Sequence, residues 1–379
     1  MKRSFRIFSI FGIPIEINIS WFIILFLIIF TLASSYFPMT VPEYGPMVRW
    51  SSAVIAALLL FASLLAHELS HSVVAIRNSL PIAGITLFIF GGVAHMEKEP
   101  PSPAVEFKMA IAGPLMSLFL ALVFLLLTSV FYLLRLPRIM LVVTDYLSFI
   151  NLLIACFNLV PAFPLDGGRV FRSAIWYFTK SLKKATRIAS GFGKGFAFIL
   201  MGFGFLALLS GRFIEGIWFI FIGLFLSEAA DISYKQVLMK KVLTGTKVKE
   251  VMTREVITVS PDITLQELLK DYFFRYRHNT FPVMKGTELL GFITFHDIKE
   301  IPQEKWHEVS AREIMIHIKP SLVIKPDSDL IMALAKMAKN KFGRLLVLDG
   351  HHLLGIVSQK DIMHLFELKS EFDNGDEKH

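Results

Sequence analysis

The sequence predicts a polytopic α-helical membrane protein, with six transmembrane helices and a short membrane-associated β element, followed by a cytoplasmic α/β tail built as a tandem repeat. Three observations carry this. Of 379 residues, 54% are hydrophobic and only 18% charged, whereas soluble domains average about 25% charged. The apolar residues gather in blocks long enough, or nearly so, to cross about 30 Å of hydrocarbon as helix. The charge also divides unevenly: residues 1–246 hold 20 Lys and Arg against 11 Asp and Glu, and 247–379 hold 19 against 20. The formal +8 therefore resides in the apolar part. That excludes a basic nucleic-acid binder, and no nucleic-acid partner is expected. The single cysteine, Cys156, excludes a disulfide scaffold.

The predicted spans run roughly 16–36, 50–75, 107–134, 143–161, 194–210 and 212–232, within a membrane domain of residues 1–235. The first is read as a retained helix, because the basic start at Lys2, Arg3 and Arg6 leads into a long apolar stretch with no small-residue cleavage site after it. With the N-terminus inside, the inner segments carry most of the Lys and Arg, including Arg77, Lys98, Arg169, Arg172, Lys183 and Lys194. The outer loops carry only Arg49, Arg135, Arg138 and Arg212. This bias predicts a multi-pass protein of the cell membrane, surrounded by the lipid bilayer, with both termini cytoplasmic. Between the second and third spans, Leu87-Phe88-Ile89-Phe90 followed by Gly91-Gly92 reads as a strand and turn. Extended backbone at membrane depth must be covered by protein or water. A strand pair beside a helix bundle satisfies that, and a cytoplasmic surface loop is the alternative.

The second span contains His67-Glu68-Leu69-Ser70-His71. Four residues apart on a helix, His67 and His71 share one side and reach the same metal ion. Glu68 lies about 100° around, close enough to reach a water on that metal without ligating it, which is the zincin arrangement of two ligands and a general base. An idle His-Glu-His group at the end of an apolar span would be costly. The same residues also suit a metal site without catalysis, or a proton site. A zinc site of this kind needs a third protein ligand, and Asp166 offers it, in Asn158-Leu159-Val160-Pro161-Ala162-Phe163-Pro164-Leu165-Asp166-Gly167-Gly168. Two prolines break the helix there. Asn158 suits hydrogen bonding to freed backbone or to a substrate strand, and Gly167-Gly168 suit a tight turn around the carboxylate. Gly113 and Ser117 in the third span read as a small-residue packing face. His95 is expected to be an interfacial residue, a spare ligand or a substrate-site group.

The paired motifs resemble the site-2 protease family of intramembrane zinc metalloproteases (peptidase M50), over about residues 10–232. The resemblance implies that one zinc ion is bound by His67, His71 and Asp166, and that Glu68 activates the water. It also implies that strand-like residues 85–94, with Gly91 and Gly92 among them, align the substrate by edge pairing. The implied substrates are transmembrane proteins such as membrane-anchored regulators, cut in or near their membrane segments. No PDZ-like insertion separates the two motifs.

After a linker at 236–246, two similar units occupy 247–301 and 311–368, ahead of a flexible polar tail at 369–379. Gly291 and Gly355, and likewise Asp297 and Asp361, are separated by 64 residues. Short strands alternating with helices predict compact α/β units. The pattern resembles a CBS-domain pair, which implies adenine nucleotide (ATP, ADP or AMP) in the cleft and a homodimer formed through the pair. Thr294 with Asp297 and Ser358 with Asp361 suit a ribose site, since a hydroxyl and a carboxylate can hold vicinal hydroxyls. The same pattern also caps helices. A CBS-gated membrane transporter or channel is the alternative function, and an inactive scaffold the third. Neither accounts for His67, Glu68, His71 and Asp166 together.

Overall fold

The computed structural model describes residues 4–375 apart from 90, 97, 341 and 351, with side chains described to 370. Lys2, Arg3 and Phe90 lie outside the described residues, as do 376–379 of the expected tail; residues 369–375 continue a helix. The chain divides into two units, Met1–Val237 and Leu238–His379.

In the first unit two strands, β1 (Ser4–Ile10) and β2 (Ile13–Asn18), precede the first helix. Phe11 and Gly12 join them with φ of 52° and 79°, the left-handed pair that a two-residue hairpin turn demands. Ile13, Ile15 and Ile17 alternate into the core. The sequence reading merges this hairpin with the apolar run that follows it, because period-2 alternation there passes directly into helix. β2 pairs in parallel with β3 (Ile82–Phe88), and β3 pairs antiparallel with β4 (Gly91–Met96). The expected strand pair is therefore half of a four-stranded sheet ordered β1-β2-β3-β4. Its β4 edge takes no further strand among the described residues.

Asn18 closes β2 and caps α1 (Ile19–Thr40), its Oδ1 accepting from the Ser20 N–H at 3.0 Å. The next helices are α2 (Pro46–Arg77), α3 (Pro103–Leu133) and α4 (Arg138–Asn158). The shorter α5 (Asp166–Thr179) precedes α6 (Leu182–Leu209) and α7 (Phe213–Leu243). Six helices among the described residues, all of these but α5, are long and apolar enough to cross a membrane. α6 begins at Leu182 and not near 194: Ser181 caps it, accepting from the Lys184 N–H at 3.3 Å, and Lys183, Lys184 and Arg187 lie in its first turns. Lipid supplies little hydrophobic drive between helices, so association rests on close packing. The fully buried Ala53 and Ala56 of α2 provide it, beside Phe37 and Leu147. A buried ion pair joins α3 to α5, where Arg172 donates through Nε to Glu106 Oε1 at 2.7 Å and through Nη2 to the same oxygen.

In the second unit the repeat is interlocked. Hairpin β5 (Thr280–Lys285) and β6 (Glu288–Thr294) is extended by β7 (Ile316–His317), which lies beyond the first repeat. The matching hairpin β9 (Arg344–Asp349) and β10 (His352–Ser358) pairs with β8 (Val323–Ile324), and through Ile356 with Thr253 of the first repeat. Gly291 and Gly355 make both crossings possible. A Cβ would come within 2.6 Å of the Ile316 carbonyl at the first and 2.7 Å of the Thr253 carbonyl at the second. Equivalent core positions are filled alike, Phe281, Val283, Ile293 and Ile298 in one repeat and Leu345, Val347, Val357 and Ile362 in the other.

Candidate metal centre

Helix α2 carries His67 and His71 on one face, both buried. Their Nε2 atoms lie 3.2 Å apart, and each is 3.1 Å from Asp166 Oδ2. Atoms bound to a tetrahedral zinc at about 2.0–2.1 Å would sit about 3.3 Å from one another, so the spacing is that of three corners around one ion. The proton arrangement points the same way. His71 Nδ1 is 2.6 Å from the Met109 carbonyl oxygen, which only accepts, so Nδ1 carries the hydrogen and the neutral ring turns a lone pair inward from Nε2. His67 Nδ1 is 2.8 Å from Ser117 Oγ, a hydroxyl that can accept the hydrogen of that nitrogen. With Nδ1 of each ring as the donor, two imidazole nitrogens and a carboxylate oxygen converge on one buried point, where a cation would relieve their mutual repulsion. The donor set of two imidazoles and a carboxylate fits zinc.

Each of the three side chains is held from behind. α3 supplies both imidazole partners, in the stretch that Pro114 loosens by lacking an N–H. Gly113 lies directly against the rings: a Cβ there would fall 2.1 Å from His71 Nε2 and 2.5 Å from His67 Nε2. The close helix packing expected at Gly113 and Ser117 is present, and the surface it admits is that of the α2 imidazoles. Ser117 bonds the His67 ring, and Gly113 leaves room for both imidazoles. Sequence alone pairs these residues with each other and not with α2. Asp166 is the first residue of α5, where the positive end of the helix favours a carboxylate. Gly167 and Gly168 are helical, and their role is room and not a turn. A Cβ would lie 2.2 Å from the Leu159 carbonyl oxygen at the first and 2.3 Å from Phe163 N at the second.

A cavity of about 310 Å³ opens beside His67, His71 and Asp166, with Glu68, Asn158, Gly91, Gly92 and Arg169 in its wall. Gly92 makes room for the Glu68 side chain, whose Cγ would lie 2.5 Å from a Cβ there. Gly91, with φ of 122°, holds the turn into β4 in a conformation that glycine tolerates. His95 stands apart from the ligand cluster, exposed on β4 with Nε2 2.9 Å from Thr86 Oγ1. Loss of the Ser117 hydroxyl should leave His67 unoriented. Ser117→Ala is expected to weaken metal affinity about 10–100-fold without changing helix content, as a competition titration with a zinc chelator will show.

In the second unit, Thr294 and Asp297 close a capping box, with Asp297 Oδ2 accepting from Thr294 N–H at 2.8 Å and from its Oγ–H at 2.6 Å. Ser358 and Asp361 repeat it at 2.9 and 2.6 Å. A cavity of about 380 Å³ brings Thr294 together with Lys299 and Arg344. Burial lowers the Arg344 guanidinium from its ordinary value, opposed by the Asp361 carboxylate.

Comparison with known proteins bears on these sites. Residues 55–136 and 138–202 match Peptidase family M50, and 248–304 and 311–368 match the CBS domain. A zinc metalloprotease of Methanocaldococcus jannaschii is 34% identical over 374 residues, spanning 98% of this chain and 99% of its own. This chain belongs to peptidase family M50. It is a site-2-protease-like metalloendopeptidase with a CBS pair, and that decides between the peptidase and transporter readings. A Synechocystis protein with a provisional zinc-metalloprotease name is 33% identical to the peptidase over 366 residues, 96% of this chain and 95% of its own. Among solved structures, a site-2 protease from Methanocaldococcus jannaschii covers 60% of this chain and 94% of its own, at 34% identity and a TM-score of 0.43.

Proposed function

We propose that this peptidase hydrolyses peptide bonds in or near the transmembrane segments of other membrane proteins, with one zinc ion held by His67, His71 and Asp166 and with Glu68 as general base. The observation that carries the reading is the convergence of those three ligand atoms, all within 4.8 Å of one another, beside Glu68 in a cavity bordered by an open strand edge. When bound, zinc lowers the pKa of a water molecule to about 7 and polarises a carbonyl. Glu68 takes the proton as the water attacks the peptide carbon, then delivers it to the departing amide nitrogen. Asn158, on the same wall, offers an amide to the substrate backbone. A substrate helix must unwind before its peptide bond reaches the site, and its freed backbone groups need partners inside the membrane. The edge of β4, unpaired among the described residues, supplies them by strand addition. Together with the Lys and Arg bias, the reading places both termini in the cytoplasm.

Chelation should abolish cleavage of a transmembrane peptide in proteoliposomes, and stoichiometric zinc should restore it. Undiminished cleavage by protein freed of metal would refute the reading.

For the tail we infer adenine nucleotide binding that regulates cleavage. Each capping box uses one oxygen of its Asp carboxylate and leaves the other for a ribose hydroxyl, while Lys299 and Arg344 suit a phosphate. Calorimetry on the full chain in detergent should give saturable heat with ATP or AMP, reduced in Asp297→Ala. No heat at millimolar nucleotide would leave the tail without this role.

A further inference from the structure

Arg169 sits one turn beyond Asp166 on α5 and is the one Lys or Arg side chain in the wall of the catalytic cavity among the described residues. Its side chain is only 17% exposed, and its nearest charge partner, Glu106 Oε1, is 4.0 Å away, beyond hydrogen-bond reach. That oxygen is already taken by Arg172, which donates to it twice. Two guanidiniums thus face a single carboxylate, and the one in the cavity makes no hydrogen bond among the described residues. A mostly buried arginine left this way is suited to an acceptor that arrives with substrate, above all one that becomes negative during the reaction.

We propose that Arg169 is a further catalytic residue, donating hydrogen bonds to the oxygen of the scissile carbonyl as negative charge builds on it. This rests on the reading of Glu68 and the metal ligands given above. The new C–O bond to the attacking water pushes the carbonyl π pair onto oxygen, where the guanidinium N–H groups hold it. The water's proton goes to Glu68. When the pair returns, the C–N bond breaks and the nitrogen leaves with the proton from Glu68. Charge that exists only in the transition state and the adduct makes the contact a matter of kcat and not of substrate binding. Glu106 and Arg172 are positioning residues in this scheme, fixing α5 against α3 so that Asp166 and Arg169 point into one cavity.

The test uses the zinc-loaded full chain with a transmembrane peptide substrate, comparing Arg169→Ala, Arg169→Lys and Glu68→Gln. Arg169→Ala is expected to lose about 10²–10³-fold in kcat, with KM, zinc content and unfolding temperature near wild type. Methylguanidinium should restore part of its rate and none of the rate of Glu68→Gln. A kcat within threefold of wild type, or a loss confined to KM, overturns the proposal. Should Arg169→Ala fail to fold, Arg169→Lys decides: a kcat at least tenfold down at unchanged KM supports it, and wild-type kcat overturns it. If Glu68→Gln is itself fully active, the underlying reading has failed. If Glu68→Gln is inactive while Arg169→Ala is not, only the role of Arg169 has.

Discussion

Glu68→Gln is expected to keep its zinc and lose peptide hydrolysis by about 10²–10⁴-fold, the usual worth of a positioned general base. Glutamine has nearly the same shape and still packs against Gly92, but its amide does not accept a proton from water at neutral pH. None of the three converging ligand atoms belongs to residue 68, so the ion should stay. Metal content and initial rate measured on one purified sample separate this outcome from simple misfolding. Full activity in the variant would remove Glu68 from the chemistry, and loss of zinc with activity would make it a structural support of the site. His67→Ala, in contrast, should lose both together.

Gly113→Ala is the second large effect, and it depends on the structure alone. One added carbon would fall 2.1 Å from one ligand nitrogen and 2.5 Å from the other, closer than any non-bonded contact. Either the rings rotate away from Asp166 or α3 withdraws from α2, and withdrawal also breaks the contacts of Ser117 with His67 and of Met109 with His71. Alanine is favoured over glycine in a helix by about 1 kcal/mol, so helix content should hold or rise while the site fails. The expected result is a protein of normal helicity by circular dichroism that retains less than a tenth of the bound zinc and of the activity. Retention of zinc at the wild-type level would show that α3 lies farther from the rings.

What the sequence discloses and what it hides follow from range. The His67–His71 spacing declares itself because a helix converts four residues into one face, and Asp166 stands out as a carboxylate beside a break between helices. The duplicated tail is plain for a similar reason, since the 64-residue offset appears in matching core positions such as Val283 and Val347. Hidden from the sequence is whatever depends on which helix lies against which. Ser117 and Gly113 look like any small-residue pair until α3 is laid on α2. Glu106 and Arg172 are 66 residues apart and nothing in the sequence pairs them, yet they form the buried tie that orients α5. The β1–β2 hairpin escapes because Ile13, Ile15 and Ile17 are as apolar as the span they run into. Its partner β3 arrives only after two membrane helices.

The central claim is that one ion is shared by two imidazoles of α2 and the carboxylate at the start of α5. X-ray absorption at the zinc edge of the purified, zinc-loaded protein tests it most directly. The expected first shell is nitrogen and oxygen at about 2.0–2.1 Å, with scattering from two imidazole rings, altered in Asp166→Ala and lost in His67→Ala. A shell without imidazole, or one that Asp166→Ala leaves unchanged, would contradict it.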